Sequence, residues 1–85
     1  MNDAITSLSN PKVKNIIKLR KAHESKEQRL VIVEGKEDIK NVIESGIEPV
    51  ELFHCEELAP HERKFFDIQD DFITPVSKSV FEKMA

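Results

Sequence analysis

Leu30-Val31-Ile32-Val33-Glu34-Gly35 decides how the rest of the chain is read. Four apolar residues in a row, mostly β-branched and without polar alternation, suit a strand covered on both faces, as in a parallel sheet. Gly35 punctuates the run, and Ile39, Val42 and Ile43 return at helical spacing. That helix should close near Ser45, because Gly46 can take the left-handed conformation that ends a helix and Ile47 can pack back on the last turn. Val50-Glu51-Leu52-Phe53-His54 then reads as a second strand, with Pro49 tolerated only at its start. Strand, helix and strand form a βαβ unit, which predicts parallel strands and a right-handed crossover. Ile32 is the expected buried centre.

Before this unit, Asn10-Pro11 marks a helix start. Asn can accept a backbone N–H as N-cap, and Pro at the first helical position loses no donor that would have been paired. Val13, Ile16 and Ile17 follow on one face, so a helix is predicted from about Pro11 to about His23. Glu24 to Gln28 reads as a polar connection. After the unit, Cys55-Glu56-Glu57 is a loop, and Pro60 starts a short helix expected to bury Phe65 and Phe66. Phe72-Ile73-Thr74 is a short strand, and Ser77 is a good N-cap for a helix carrying Val80, Phe81 and Met84. No Gly, Asn or Pro stops that helix before Ala85, so the chain is expected to be a piece of a longer protein.

A chain of 85 residues makes one domain, with 39% hydrophobic and 34% charged residues as in a soluble globular protein. It leaves little room for both a core and a walled catalytic pocket. No apolar run reaches the roughly 18–20 residues of a membrane span, and Met1-Asn2-Asp3 lacks the basic start of a secretory signal. A lone cysteine, Cys55, allows neither an internal disulfide nor a thiolate cluster. The cytoplasm is the expected compartment. The net charge of −3 hides an asymmetry. Residues 1–30 carry seven bases and three acids, a net of +4, while the remainder carries six bases and thirteen acids, a net of −7. Such a split points to a polar partner at the basic end, which includes Lys12, Lys14, Lys18, Arg20, Lys21 and Arg29, although chance in a highly charged sequence gives the same asymmetry.

At about 100° per residue, Lys14, Lys18 and Lys21 fall on one stripe roughly opposite Val13, Ile16 and Ile17. Ammonium groups along a rigid rod can follow a phosphate backbone, although a solvated lysine face has the same spacing. Arg20 points into the apolar arc, where it either runs its stem along the core edge or meets an acid. With no Trp or Tyr, and five Phe all beyond residue 50, base stacking is not expected to contribute. Glu34-Gly35 lies before a helix. It reads either as a stabilising acid at the positive end of the helix dipole or as a polar contact to a ribose or base edge. His23, His54 and His61 are scattered, no zinc spacing occurs, and Cys55 beside His54 does not make a nucleophile–base pair, because neighbours on a strand face opposite ways. No catalytic, cofactor-binding or metal residues are expected in this chain.

Taken together, Ile5-Thr6-Ser7, Asn10-Pro11-Lys12-Val13-Lys14, Leu19-Arg20 and Val33-Glu34-Gly35 resemble the N-terminal substrate-binding domain of SpoU-type (SPOUT superfamily) RNA 2′-O-ribose methyltransferases. The resemblance extends over essentially the whole chain. It implies a small three-layer αβα sandwich around a short, mainly parallel sheet, similar to ribosomal proteins that bind kink-turns. It also implies a role in selecting rRNA or tRNA. Catalysis, S-adenosylmethionine binding and homodimerisation would then belong to a separate C-terminal domain whose motifs are absent here. The RNA-facing residues expected on this basis are Lys12, Lys14, Lys18, Arg20, Lys21, Arg29, Glu34 and Gly35. Two other readings stay open: an interdomain or protein–protein scaffold that does not touch RNA, and a free-standing kink-turn binder.

Overall fold

The computed structural model describes residues 4–60 and 70–85. Their order is α1 (Pro11–Leu19), α2 (Ala22–Gln28), α3 (Lys36–Glu44), β1 (Leu52–His54), a 3-10 turn (Asp70–Phe72), β2 (Ile73–Pro75) and α4 (Lys78–Met84). The chain is an α/β domain with a parallel sheet, in keeping with a small αβα arrangement. The helix expected to follow Pro60 lies outside the described residues.

Local signals placed the helix ends. Asn10 Oδ1 accepts the Lys12 N–H at 2.9 Å, with Pro11 at the first helical position. Ser77 accepts the Val80 N–H at 3.4 Å and starts α4. At the end of α3, Gly46 adopts φ 92°. Its N–H bonds to the Ile43 carbonyl at 3.0 Å, and the Ile47 N–H reaches back to the Val42 carbonyl at 3.3 Å. This pair of bonds is the Schellman closure, which satisfies carbonyls the helix itself leaves unpaired. The Ile47 side chain is nevertheless 60% exposed, so it does not cap the turn by burial as expected.

The sheet differs from expectation. β1 pairs in parallel with β2, in the register Leu52↔Ile73, Phe53↔Thr74 and His54↔Pro75, and Ile5 forms a parallel bridge to Val76 on the continuation of β2. Leu30–Val33 is not a strand: its backbone is irregular, Val31 is 77% exposed, and Ile32 is only half-buried. The reason lies at its two ends. Ser25 takes both backbone groups of Leu30, its carbonyl accepting the N–H and its hydroxyl donating to the Leu30 carbonyl. Glu34 is tied to Arg20. Anchored away from β1, the run cannot use its β propensity, which acts only through a neighbouring strand.

The first helix is also shorter than expected. It stops at Leu19, bends through Arg20 and an extended Lys21 (φ −84°, ψ 130°), and resumes as α2, so the expected polar connection is helical. Asn15 and Gln28 exchange side-chain amide bonds at 3.2 and 3.0 Å. Thirteen residues along one straight helix would set them roughly 20 Å apart. The bend is what lets them meet.

The core lies where α1 and α4 meet the ends of the sheet. Val13, Cys55, Val76, Val80 and Met84 are buried together, with Ile5, Ile16, Phe53 and Phe81 packed around them. Cys55 belongs to this core, and neighbouring His54 turns the other way to Glu56, at 2.8 Å. α3 buries none of its residues. Between it and β1 is a cavity of about 900 Å³, partly open to solvent and walled by residues such as Val31, Ile39, Val42 and Phe53.

Candidate nucleic-acid interface

The basic residues sit on α1 and on the bend behind it, and the core fixes their directions. Val13 is fully buried and Leu19 nearly so, which turns the opposite side of α1 to solvent. Lys14 and Lys18, one helical turn apart, occupy that side and are exposed, and Lys21 continues outward at the bend. None of these three lines the cavity. Lys12, Arg20, Arg29, Glu34 and Gly35 do line it. The eight expected contact residues are thus divided between two faces.

The two faces also differ in how their charges are met. Lys12 Nζ contacts Glu51 Oε2 at 2.7 Å, and the same oxygen accepts a hydrogen bond from the Thr74 hydroxyl. Arg20 Nη2 pairs with Glu34 Oε1, while its Nε donates to the Met84 carbonyl at 2.7 Å. Arg20 therefore binds an acid rather than covering the core edge. It ties the end of α1 to the segment before α3 and to the end of α4. On the outer face, Lys18 meets Glu24 at 3.7 Å. Lys14 and Lys21 have no ion pair among the described residues.

Two backbone positions shape the segment between α2 and α3. Arg29 ends α2 in the left-handed conformation (φ 59°, ψ 37°), which costs a non-glycine residue roughly 1–2 kcal/mol. Gly35 precedes α3 at φ 91°, with nothing within 4 Å of where a Cβ would stand, so dihedral freedom rather than space requires glycine there. Glu37 and Asp38 supply the negative charge in the first turn of α3, the role considered for Glu34. Glu51 and Thr74 were not among the expected site residues. Glu51 lies 39 positions from Lys12, and no local spacing links them.

A family model, the MRM3-like substrate binding domain, matches residues 10–85, from the Asn10 cap of α1 to the last residue of the chain. The chain belongs to this family. Its role is that of a substrate-binding domain of SpoU-type RNA methyltransferases, and the resemblance carried by Asn10-Pro11 and Glu34-Gly35 is thereby confirmed. No curated protein and no solved structure matches it. The described surface of the MRM3-like domain carries two sets of cations: exposed ones on α1 and the bend after it, and an acid-paired set beside the cavity. Among the described residues, no helix is long and apolar enough to cross a membrane, and no group of His, Cys, Asp and Glu is placed to hold a metal ion.

Proposed function

We propose that this domain grips the RNA substrate, rRNA or tRNA, of a ribose 2′-O-methyltransferase through phosphate contacts made from α1 and the bend that follows it. The observation that carries this reading is the outward row of Lys14 and Lys18, on a helix whose opposite face is locked into the core by Val13, continued by exposed Lys21 at the bend. Lys12, Arg20, Arg29, Glu34 and Gly35 complete the surface as neighbouring or organising residues. S-adenosylmethionine, the methyl transfer and dimerisation belong, in this reading, to a catalytic domain elsewhere in the parent enzyme, and this domain supplies affinity and register. In this reading the protein works in the cytoplasm, with Cys55 packed as a free cysteine in the core.

A scaffold that never touches RNA is the competing reading. It is favoured by the ion pairs that occupy Lys12 and Arg20 internally. Titration of the chain with single-stranded RNA separates the two. Three phosphate contacts on a single strand predict a log–log salt slope of about −2, or roughly 20-fold weaker binding on going from about 50 to about 200 mM salt. Replacing Lys14, Lys18 and Lys21 together by Gln should flatten the slope and leave the thermal transition nearly unchanged. Lys78→Gln with Lys83→Gln should not alter the slope. A triple variant that binds like the wild type would favour the scaffold.

A further inference from the structure

The eight candidate residues are not electrostatically equivalent, and the difference follows from fixed partners. Glu51 is the clearest case. Its side chain is 23% exposed against 56% for Lys12, and its Oε2 is shared between the Lys12 ammonium and the hydroxyl of Thr74, a buried residue of β2. A carboxylate held by two donors, one of them in the sheet, cannot follow solvent away when another anion approaches. Arg20 is committed in a similar way, with Nη2 on Glu34 and Nε on the Met84 carbonyl. On the outer face, Glu24 is also half-buried and held by Gln28 Nε2, but it stands 3.7 Å from Lys18, beyond hydrogen-bond reach, against 2.7 Å for Glu51 and Lys12. Lys14 and Lys21 meet no acid among the described residues.

We infer that Lys14, Lys18 and Lys21 are the phosphate-reading cations of this domain, and that Glu51 acts as a built-in substitute for phosphate that keeps Lys12 out of the contact. Arg20, held by Glu34, is likewise a positioning residue. The inference rests on the RNA-binding reading above and specifies which charges perform it. The salt slope counts cations that release condensed counterions from the nucleic acid. A phosphate arriving at Lys12 would have to displace Glu51 and would leave that carboxylate, still bonded to Thr74, beside a like charge. The contact would exchange one anion for another with little gain. At Lys14 and Lys21 nothing has to be displaced.

Removing the substitute should switch Lys12 on. Glu51→Gln keeps a hydrogen-bond acceptor for Thr74 but removes the charge, so binding to single-stranded oligouridylate should steepen by about 0.7 in log–log salt slope, one added contact. Lys14→Gln and Lys21→Gln should each flatten the slope by about the same 0.7. Lys12→Gln should leave it unchanged in the wild-type background and cancel the gain in the Glu51→Gln background. Arg20→Gln should lower the melting temperature without changing the slope. A second measurement needs no RNA: lysine acetylation followed by mass spectrometry on the free chain. Lys14 and Lys21 should react faster than Lys12, and Glu51→Gln should bring Lys12 up to their rate. Lys12→Gln flattening the slope as much as Lys14→Gln would overturn the assignment, as would Lys12 acetylating as fast as Lys14 in the wild type. A wild type with no salt-dependent RNA binding would instead overturn the RNA reading, and the acetylation pattern would then still decide the charge partition.

Discussion

The half of the molecule built from α1, β1, β2 and α4 is closed, whereas the half built from Leu30 to Val50 is open. In the closed half, Val13 and Val80 are 0% and 1% exposed, and Ile73, Val76 and Met84 are buried beside them or against the sheet. In the open half, Val31 and Val50 are 77% and 69% exposed and α3 buries nothing. Both halves contain β-branched apolar residues in short runs, so composition does not separate them. What separates them is whether the backbone has found a neighbour. Ile73-Thr74 is paired on the β1 side, and Val76 bridges Ile5. No backbone bond links Val31 to Glu34 with either strand among the described residues. In the extended segments, apolar side chains are buried where the main chain is paired, because an unpaired N–H or C=O is costly to take out of water. α3, whose backbone is bonded within the helix, shows that pairing alone does not bury a face.

The largest effect that would sharpen this contrast is expected in the closed half. Val80→Ala removes two methyl groups from a site with no exposure to relax into, and should cost about 2–3 kcal/mol. In a domain this small, that corresponds to a fall in melting temperature of roughly 10–20 °C. Calorimetry of the two proteins would show it, and a shift of only a degree or two would mean that the closed half is looser than described. A middle-sized effect is expected at the start of α1. Asn10→Ala removes the acceptor of the Lys12 N–H and should cost about 1 kcal/mol in urea-induced unfolding, while Asn10→Ser should restore most of it. No loss in the alanine variant would show that tertiary packing alone holds the first turn. The smallest effect is expected in the open half. Val31→Lys should change stability by no more than about 0.5 kcal/mol, as exposed substitutions do. A loss of several kcal/mol there would break the comparison, since it would require Val31 to be covered in solution.

Helix ends were readable from neighbouring residues because capping is a matter of a few bonds within one turn. Asn10-Pro11, Ser77 and Gly46 each name a donor, an acceptor or a dihedral that the local chain can use by itself. Helical spacing likewise puts Lys14 and Lys18 on one side of α1, but Lys21, expected on the same helical stripe, lies beyond the end of the helix. The bend at Arg20-Lys21 was not readable, since the bonds that reward it join Asn15 to Gln28 and Arg20 to Glu34 and Met84. The pairing of Lys12 with Glu51 was equally hidden, because Glu51 lies 39 positions away, just before β1.

The sequence by itself therefore determined an α/β domain, the caps at Asn10, Gly46 and Ser77, the outward side of α1 at Lys14 and Lys18 and, through motifs spaced along the chain, membership of the MRM3-like substrate binding family. Only the tertiary structure decided which apolar run becomes a strand and which cations are paired with an acid. Both decisions concern pairs of groups far apart in the chain. A side chain carries its hydrogen-bonding capacity and its charge as local properties, but whether these are already satisfied depends on which distant partner folding brings within reach.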